Sequence, residues 1–201
     1  IGTIHLLKPE TEWRTTYFEE LLASVDQVWF DADVHSAEAQ AQIQALVPQL
    51  GLNPQGQTLS SMLSDEGKAN LATLAQRMGV PAEAMMASLD PLQPWLASVS
   101  LASSMAMAQG YDPQYGVEVA LQAMIEPITD DVRYFETAEQ QLGFLAGLPQ
   151  AVQLRDLESS LEQSVQEPYL LDDLAMAWEV GDIEAIDHLI NDRMKSESPE
   201  M

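Results

Sequence analysis

The chain of 201 residues contains no cysteine, which excludes a disulfide framework, a thiolate nucleophile and thiolate metal ligands. Positive charge is nearly as scarce: eight Lys and Arg stand against thirty-two Asp and Glu, for a formal net charge of −24. A surface of that sign repels phosphate backbones and anionic lipid, which argues against nucleic-acid partners and charged membrane surfaces. No stretch approaches the roughly eighteen consecutive apolar residues that a spanning helix needs, so no membrane span is expected. The first residues, Ile1-Gly2-Thr3, include neither an initiator Met nor a signal peptide. The chain is therefore read as an incomplete or processed product.

Apolar residues make up 46% of the chain, enough for one domain with a real core and too little length for two comfortable ones. The carboxylates are spread along the whole sequence, which describes a solvated acidic surface; recruiting a cation takes particular carboxylates brought together. With thiols absent, neutral His and carboxylates are the strong metal ligands available.

Residues 1–7 are short, β-branched and apolar and end before Lys8-Pro9, so they read as a buried strand. Phe18, Leu21, Leu22 and Val25 recur at helical spacing, predicting a helix over about residues 12–25. Val28-Trp29-Phe30, ending in Asp31-Ala32-Asp33, reads as a second strand. Strand, helix and strand within about thirty residues form a βαβ start and a parallel pair. Residues 36–109 are almost wholly helical in pattern and read as a large insertion lying over the sheet. Within it, residues 95–108 are apolar or small nearly all round and predict a buried central helix, with Met105 and Met107 as core filler. Asp112-Pro113 opens a further helix, residues 131–136 form a third strand candidate, and Thr137 with Gln140 fits a capping box. Three further helical stripes follow, the last on Ile183, Ile186, Ile190 and Met194, and residues 198–201 add no closing strand. The expected fold is α/β: a small mixed sheet with a large helical complement, in one incomplete domain over residues 1–201. Three short strands are fewer than an open sheet usually needs; the deficit points either to strands outside this chain or to an edge shared with a second copy, as a homo-oligomer.

Polar groups fall at the carboxyl ends of all three strand candidates: His5, Asp31 with Asp33, and Glu136. Ligands of open α/β sheets bind outside those ends, and a His with two or three carboxylates there can bind a divalent ion or activate water. The same residues also have ordinary structural uses, His5 as a satisfied core residue and the aspartates as turn or capping groups. His35 and His188 read as solvated.

Four segments in order resemble the TraB/GumN family. Gly2-Thr3-Ile4-His5-Leu6-Leu7-Lys8-Pro9 resembles its opening GTxH segment, and Val28-Trp29-Phe30-Asp31 its second strand. The segment from Gly110 to Glu118 (GYDPQYGVE) is similar to its central GxDpxxGxD/E segment, and Phe135-Glu136-Thr137-Ala138-Glu139-Gln140-Gln141 to its LETxEEQ segment. The family resembles the Tiki proteins, metal-dependent proteases acting on secreted signalling proteins, and more distantly the erythromycin esterases. The resemblance implies hydrolysis of peptide or ester bonds with a divalent metal of the Mn, Co or Zn type, and a periplasmic or extracytoplasmic location. It implies His5 as metal ligand or general base, Asp31 as its carboxylate partner, and Glu118 and Glu136 as further site carboxylates, Glu136 also as a metal ligand. Arg133 and Gln140 would hold a substrate carbonyl or orient Glu136, with Asp33 nearby.

Two departures stand out. Asp31 occupies a position where the family usually has glutamate, and only one GxxH is present where the family has a second near its C-terminus. Activity requiring both histidines is therefore not expected from these residues alone. A second reading is a non-catalytic peptide-binding or regulatory protein of the same fold, using the methionines at 62, 78, 85, 86, 105 and 107 as an adaptable groove.

Overall fold

The structure, a computed structural model, describes residues 2–197, with side chains described up to residue 190. Ile1, the Met194 side chain and residues 198–201 lie outside the described residues.

Local chemistry sets most of the element boundaries. Thr15, Ser36, Thr58, Ser64 and Thr137 each sit in extended backbone and accept a first-turn N–H, starting helices α1 (Thr16–Ala23), α2 (Ala37–Leu50), α3 (Leu59–Met62), α4 (Asp65–Arg77) and α8 (Ala138–Ala146). Pro81 and Pro94 begin α5 (Ala82–Leu89) and α6 (Pro94–Ala108), and Asp112 caps a single 3-10 turn at Pro113–Tyr115. Helix α7 (Val117–Ile125) leads into strand β2 (Val132–Glu136), and α9 (Gln150–Gln166), α10 (Leu170–Glu179) and α11 (Ile183–Glu197) complete the chain. Gly181, at φ 72°, breaks α10 from α11 in the left-handed conformation that a side chain would resist.

The α/β reading with helix in the majority holds, but the sheet is smaller than expected. Strand β1 (Val28–Ala32) pairs in parallel with β2, with Val28 opposite Val132 and Ala32 opposite Glu136, and these two are the described strands. The parallel partner of β1 is thus β2, and the expected βαβ start is absent. Residues 2–7 form no strand because other elements use their backbone groups. Leu7 exchanges two backbone hydrogen bonds with Asp112, Ile4 C=O accepts from Val117 N–H, and Gly2 C=O accepts from Trp178 Nε1. Helix α1 is also shorter than predicted, since Thr15 caps it and leaves residues 12–14 outside.

Three apolar clusters hold the molecule together, the smallest of them Ala106, Tyr111 and Ala175 with Leu6 and Leu171 packed against it. The helical one joins Leu59, Leu71, Leu74, Leu101, Leu157 and Leu161 across α3, α4, α6 and α9, so the block from 36 to 109 is closed by a helix from outside it. The second gathers Leu7, Leu22, Phe30, Val117, Leu121 and Ile125 around the sheet. Met62, Met78, Met85, Met86 and Met105 belong to or pack against the helical cluster, which accounts for them as filler. Helix α6 is buried on one side only: Val99 and Met107 are 46% and 52% exposed.

Buried Gln153 ties the two ends of this architecture. Its Nε2 donates to Ala146 and Leu148 C=O, at the end of α8, and its Oε1 accepts from Trp95 N–H, in the open first turn of α6. Gln153→Leu keeps the volume and leaves those three backbone groups unpaired. Chemical denaturation should show a loss of about 1–3 kcal/mol for that change.

Candidate functional site

His5 lies on a strap, residues 2–8, that is held from two sides. On one side run the bonds from Leu7 to Asp112 and from Ile4 to Val117. Between them Gly116 packs so closely that a Cβ would overlap the His5 carbonyl oxygen, which explains the glycine. On the other side is α10. Lys8 Nζ lies 2.8 Å from Asp172 Oδ1, which also accepts the Tyr111 hydroxyl at 2.6 Å, and Trp178 bonds to Gly2. Lys8 and Tyr111 together hold the Asp172 carboxyl below its usual range. Burial and the Asp172 carboxylate push the Tyr111 phenol well up. This pair of seams positions an irregular segment where sheet pairing does not.

The strap sets His5 Nδ1 3.0 Å from Glu118 Oε1. The His5 side chain is 69% exposed and that of Glu118 is 8% exposed, so a buried carboxylate backs a ring open to solvent. Glu118 Oε1 has no aligned hydrogen-bond donor; on distance, the contact is an ion pair when the His5 ring is protonated. The Glu118 carboxylate raises the His5 pKa above 6.5 against the opposing effect of burial, and Asp31 adds to the rise through space. Burial alone would raise the Glu118 pKa. His5, the Thr3 hydroxyl and Glu118's own backbone N–H outweigh it and hold the carboxyl at about 2. That N–H is free because Gly116, the residue capping α7, has no side chain to accept the first-turn donors.

A crevice of about 470 Å³ lies between Gly2-Thr3 and β1. Its walls are mainly Phe18, Leu22, Trp29, Phe30 and Phe135, with Asp31 and Glu118 as its carboxylates. Asp31, expected to partner His5, lines this crevice and acts on the ring only through space; Glu118 is the carboxylate in contact. Glu136 ends β2 in register with Ala32, which strand alternation places on the opposite face from Asp31. Among the described residues no three His, Asp or Glu side chains are close enough to hold a metal ion. Arg133 is engaged with Asp131 by two contacts, at 2.8 and 3.2 Å, and lies over Trp29. Gln140 accepts from Thr137 N–H in the capping box. Asp33 accepts from Ser36 and from the His35 N–H at the start of α2.

Sequence reasoning missed Thr3, Gly116, Lys8, Asp172 and Trp178 as the groups that fix His5 and Glu118. Thr3, Lys8 and Gly116 stand inside the matching segments, so a signal was present for those three. Asp172 and Trp178 lie more than 160 residues from the strap they hold, and no local pattern marks them.

The sequence signature of the TraB/PrgY/gumN family matches residues 1–201, and the chain belongs to that family. No curated protein and no solved structure matches it significantly.

The ion pair makes a prediction about stability. Glu118, with its folded pKa lowered from 4.5 to about 2, stabilises the fold above pH 4.5 and loses that contribution as pH falls toward 2. His5, raised above 6.5, contributes fully below 6.5 and loses its contribution as pH rises through its folded pKa. The stability difference between wild type and Glu118→Gln, from denaturation at a series of pH values, should therefore be largest between about pH 4.5 and 6.5 and shrink on both sides.

Proposed function

We propose that this member of the TraB/PrgY/gumN family hydrolyses peptide or ester bonds, with His5 as general base and Glu118 as the group that orients it. The observation that carries the reading is the exposed imidazole backed on Nδ1 by a buried carboxylate. A base needs one ring nitrogen free and the other held, so that the ring keeps its orientation and the imidazolium formed in the reaction is stabilised. With Nδ1 at Glu118, Nε2 faces solvent and takes the proton of a water attacking the carbonyl. The same nitrogen then returns the proton to the leaving amine or alkoxide. The neighbouring crevice offers apolar and aromatic surface for the substrate's side chains.

A divalent ion of the Mn, Co or Zn type would polarise the carbonyl and acidify the water. Because the described residues do not assemble three ligands, the steps above are assigned to the pair alone, and metal dependence belongs to the proposal as a separate measurement. An extracytoplasmic protein or peptide substrate completes the reading.

The test is hydrolysis of peptide and ester libraries by the full-length protein that contains these residues, with chelator or with each metal added. His5→Ala should lower kcat/KM by about 10²–10⁴-fold. Glu118→Gln should lower the rate and move the acidic limb of the pH profile to lower pH, since losing the carboxylate lowers the His5 pKa. Turnover that is indifferent to His5 would sink the assignment.

A further inference from the structure

The crevice beside Glu118 runs along the outer edge of β1. Four consecutive residues, Val28, Trp29, Phe30 and Asp31, line it. Their side chains alternate between the two faces of the sheet, so a space that touches all four lies at the edge of the strand. Gly2 and Thr3 of the strap stand across from them, and Phe18, Leu22 and Leu121 border the side on which Phe30 packs.

The register fixes which backbone groups face this space. Val28 N–H donates to Asp131 C=O, and Val28 is opposite Val132. In a parallel pair, Val28, Phe30 and Ala32 then bond to β2, while the N–H and C=O groups of Trp29 and Asp31 point away from it. On that outer side Trp29 and Asp31 make no backbone hydrogen bond to a described residue, and neither does Thr3 across the crevice. Such an edge accepts an added strand. A second copy of the chain is kept off, because each copy's strap stands before its own β1. A single extended peptide fits between the two walls.

The side chains add a charge preference. Asp31 is exposed and has no ion-pair partner among the described residues. The register sets Phe135 beside it on β2, which leaves the crevice side for a cation. The basic side chains of this region are already engaged, Arg133 by Asp131 and His5 by Glu118.

We propose that the outer edge of β1 binds an extended peptide as a third strand, with a lysine or arginine of that peptide beside Asp31. Its alternate side chains would meet the apolar wall at Phe18, Leu22 and Phe30. That the bound peptide is also the substrate rests on the role proposed for His5; the binding does not.

The experiment is fluorescence anisotropy of a labelled Thr-Val-Lys-Val-Thr amide with the full-length protein carrying His5→Ala. Saturable binding is expected, about two- to fivefold tighter than for the same peptide with norleucine in place of lysine. N-methylation at alternate amides removes the donors of one peptide edge at a time, and at least one of the two patterns should weaken binding about tenfold or more. Asp31→Asn should keep peptide binding and erase the preference for lysine. Asp31→Pro removes the outward N–H, a change that an edge strand tolerates, and should abolish binding. Melting curves check both variants, and the methylated peptides decide the matter if Asp31→Pro does not fold. No saturable binding, equal affinity for the plain and both methylated peptides, or an unchanged lysine preference in folded Asp31→Asn would overturn the proposal. A probe that is bound and still cut by His5→Ala would refute the hydrolytic role of His5 and leave the binding edge standing.

Discussion

The close approach of residues 2–8 to the turn at Asp112–Val117 is the constraint on which the site depends. A strand gains its placement from a ladder of backbone bonds, and this strap has only a fragment of one: Leu7 with Asp112, and Ile4 with Val117. Gly116 lets the His5 carbonyl come close enough for that seam to form. The seam also sets the start of α7, because Val117 N–H, the first donor of the helix, is spent on Ile4. The next residue of that turn is Glu118. One backbone juxtaposition therefore places both members of the ion pair, and a shift at Gly116 would move them together.

The second seam, along α10, is electrostatic where the first is backbone. Lys8 is one of only eight basic residues in the chain, and it is directed at Asp172, between Tyr111 and α10. Exposed ion pairs contribute little, but Asp172 is part-buried and takes both a cation and a phenol hydroxyl on one oxygen, so the geometry is specific as well as attractive. Trp178 holds the opposite end of the strap through Gly2. His5 is thus suspended between two fixed points while its ring remains open to solvent.

Legibility in the sequence followed locality. The capping box at Thr137, the helix start at Pro94 and the strands at 28–32 and 132–136 are short-range chemistry, and each was readable from a few neighbouring residues. Residues 1–7 carried the same kind of strand signal, yet no described residue of that segment joins the sheet, because β-propensity describes a half-buried extended surface rather than a partner. The role of α9 in closing the helical core was equally invisible, since Leu157 and Leu161 read only as one face of an amphipathic helix. At the site, the motif segments brought out His5 and Glu118, but the same resemblance implied Asp31, at the end of the second strand, as the partner of His5. The contact is decided by where α7 begins, which is a tertiary fact.

The net charge of −24 invites the thought that the whole acidic surface tunes His5, but distance argues otherwise. At physiological ionic strength the screening length is about 8 Å, so most of the thirty-two carboxylates are damped before they reach the ring. The shift at His5 comes from Glu118 in contact and Asp31 close by. Local burial, rather than total charge, keeps the Glu118 effect strong, because an 8% exposed carboxylate is poorly screened. The general field acts on arrivals instead: it disfavours anionic solutes and raises the local concentration of cationic ones. The tuning of His5 and the attraction of cationic solutes thus come from different parts of the same charge distribution, one set by the strap and α7, the other by composition alone.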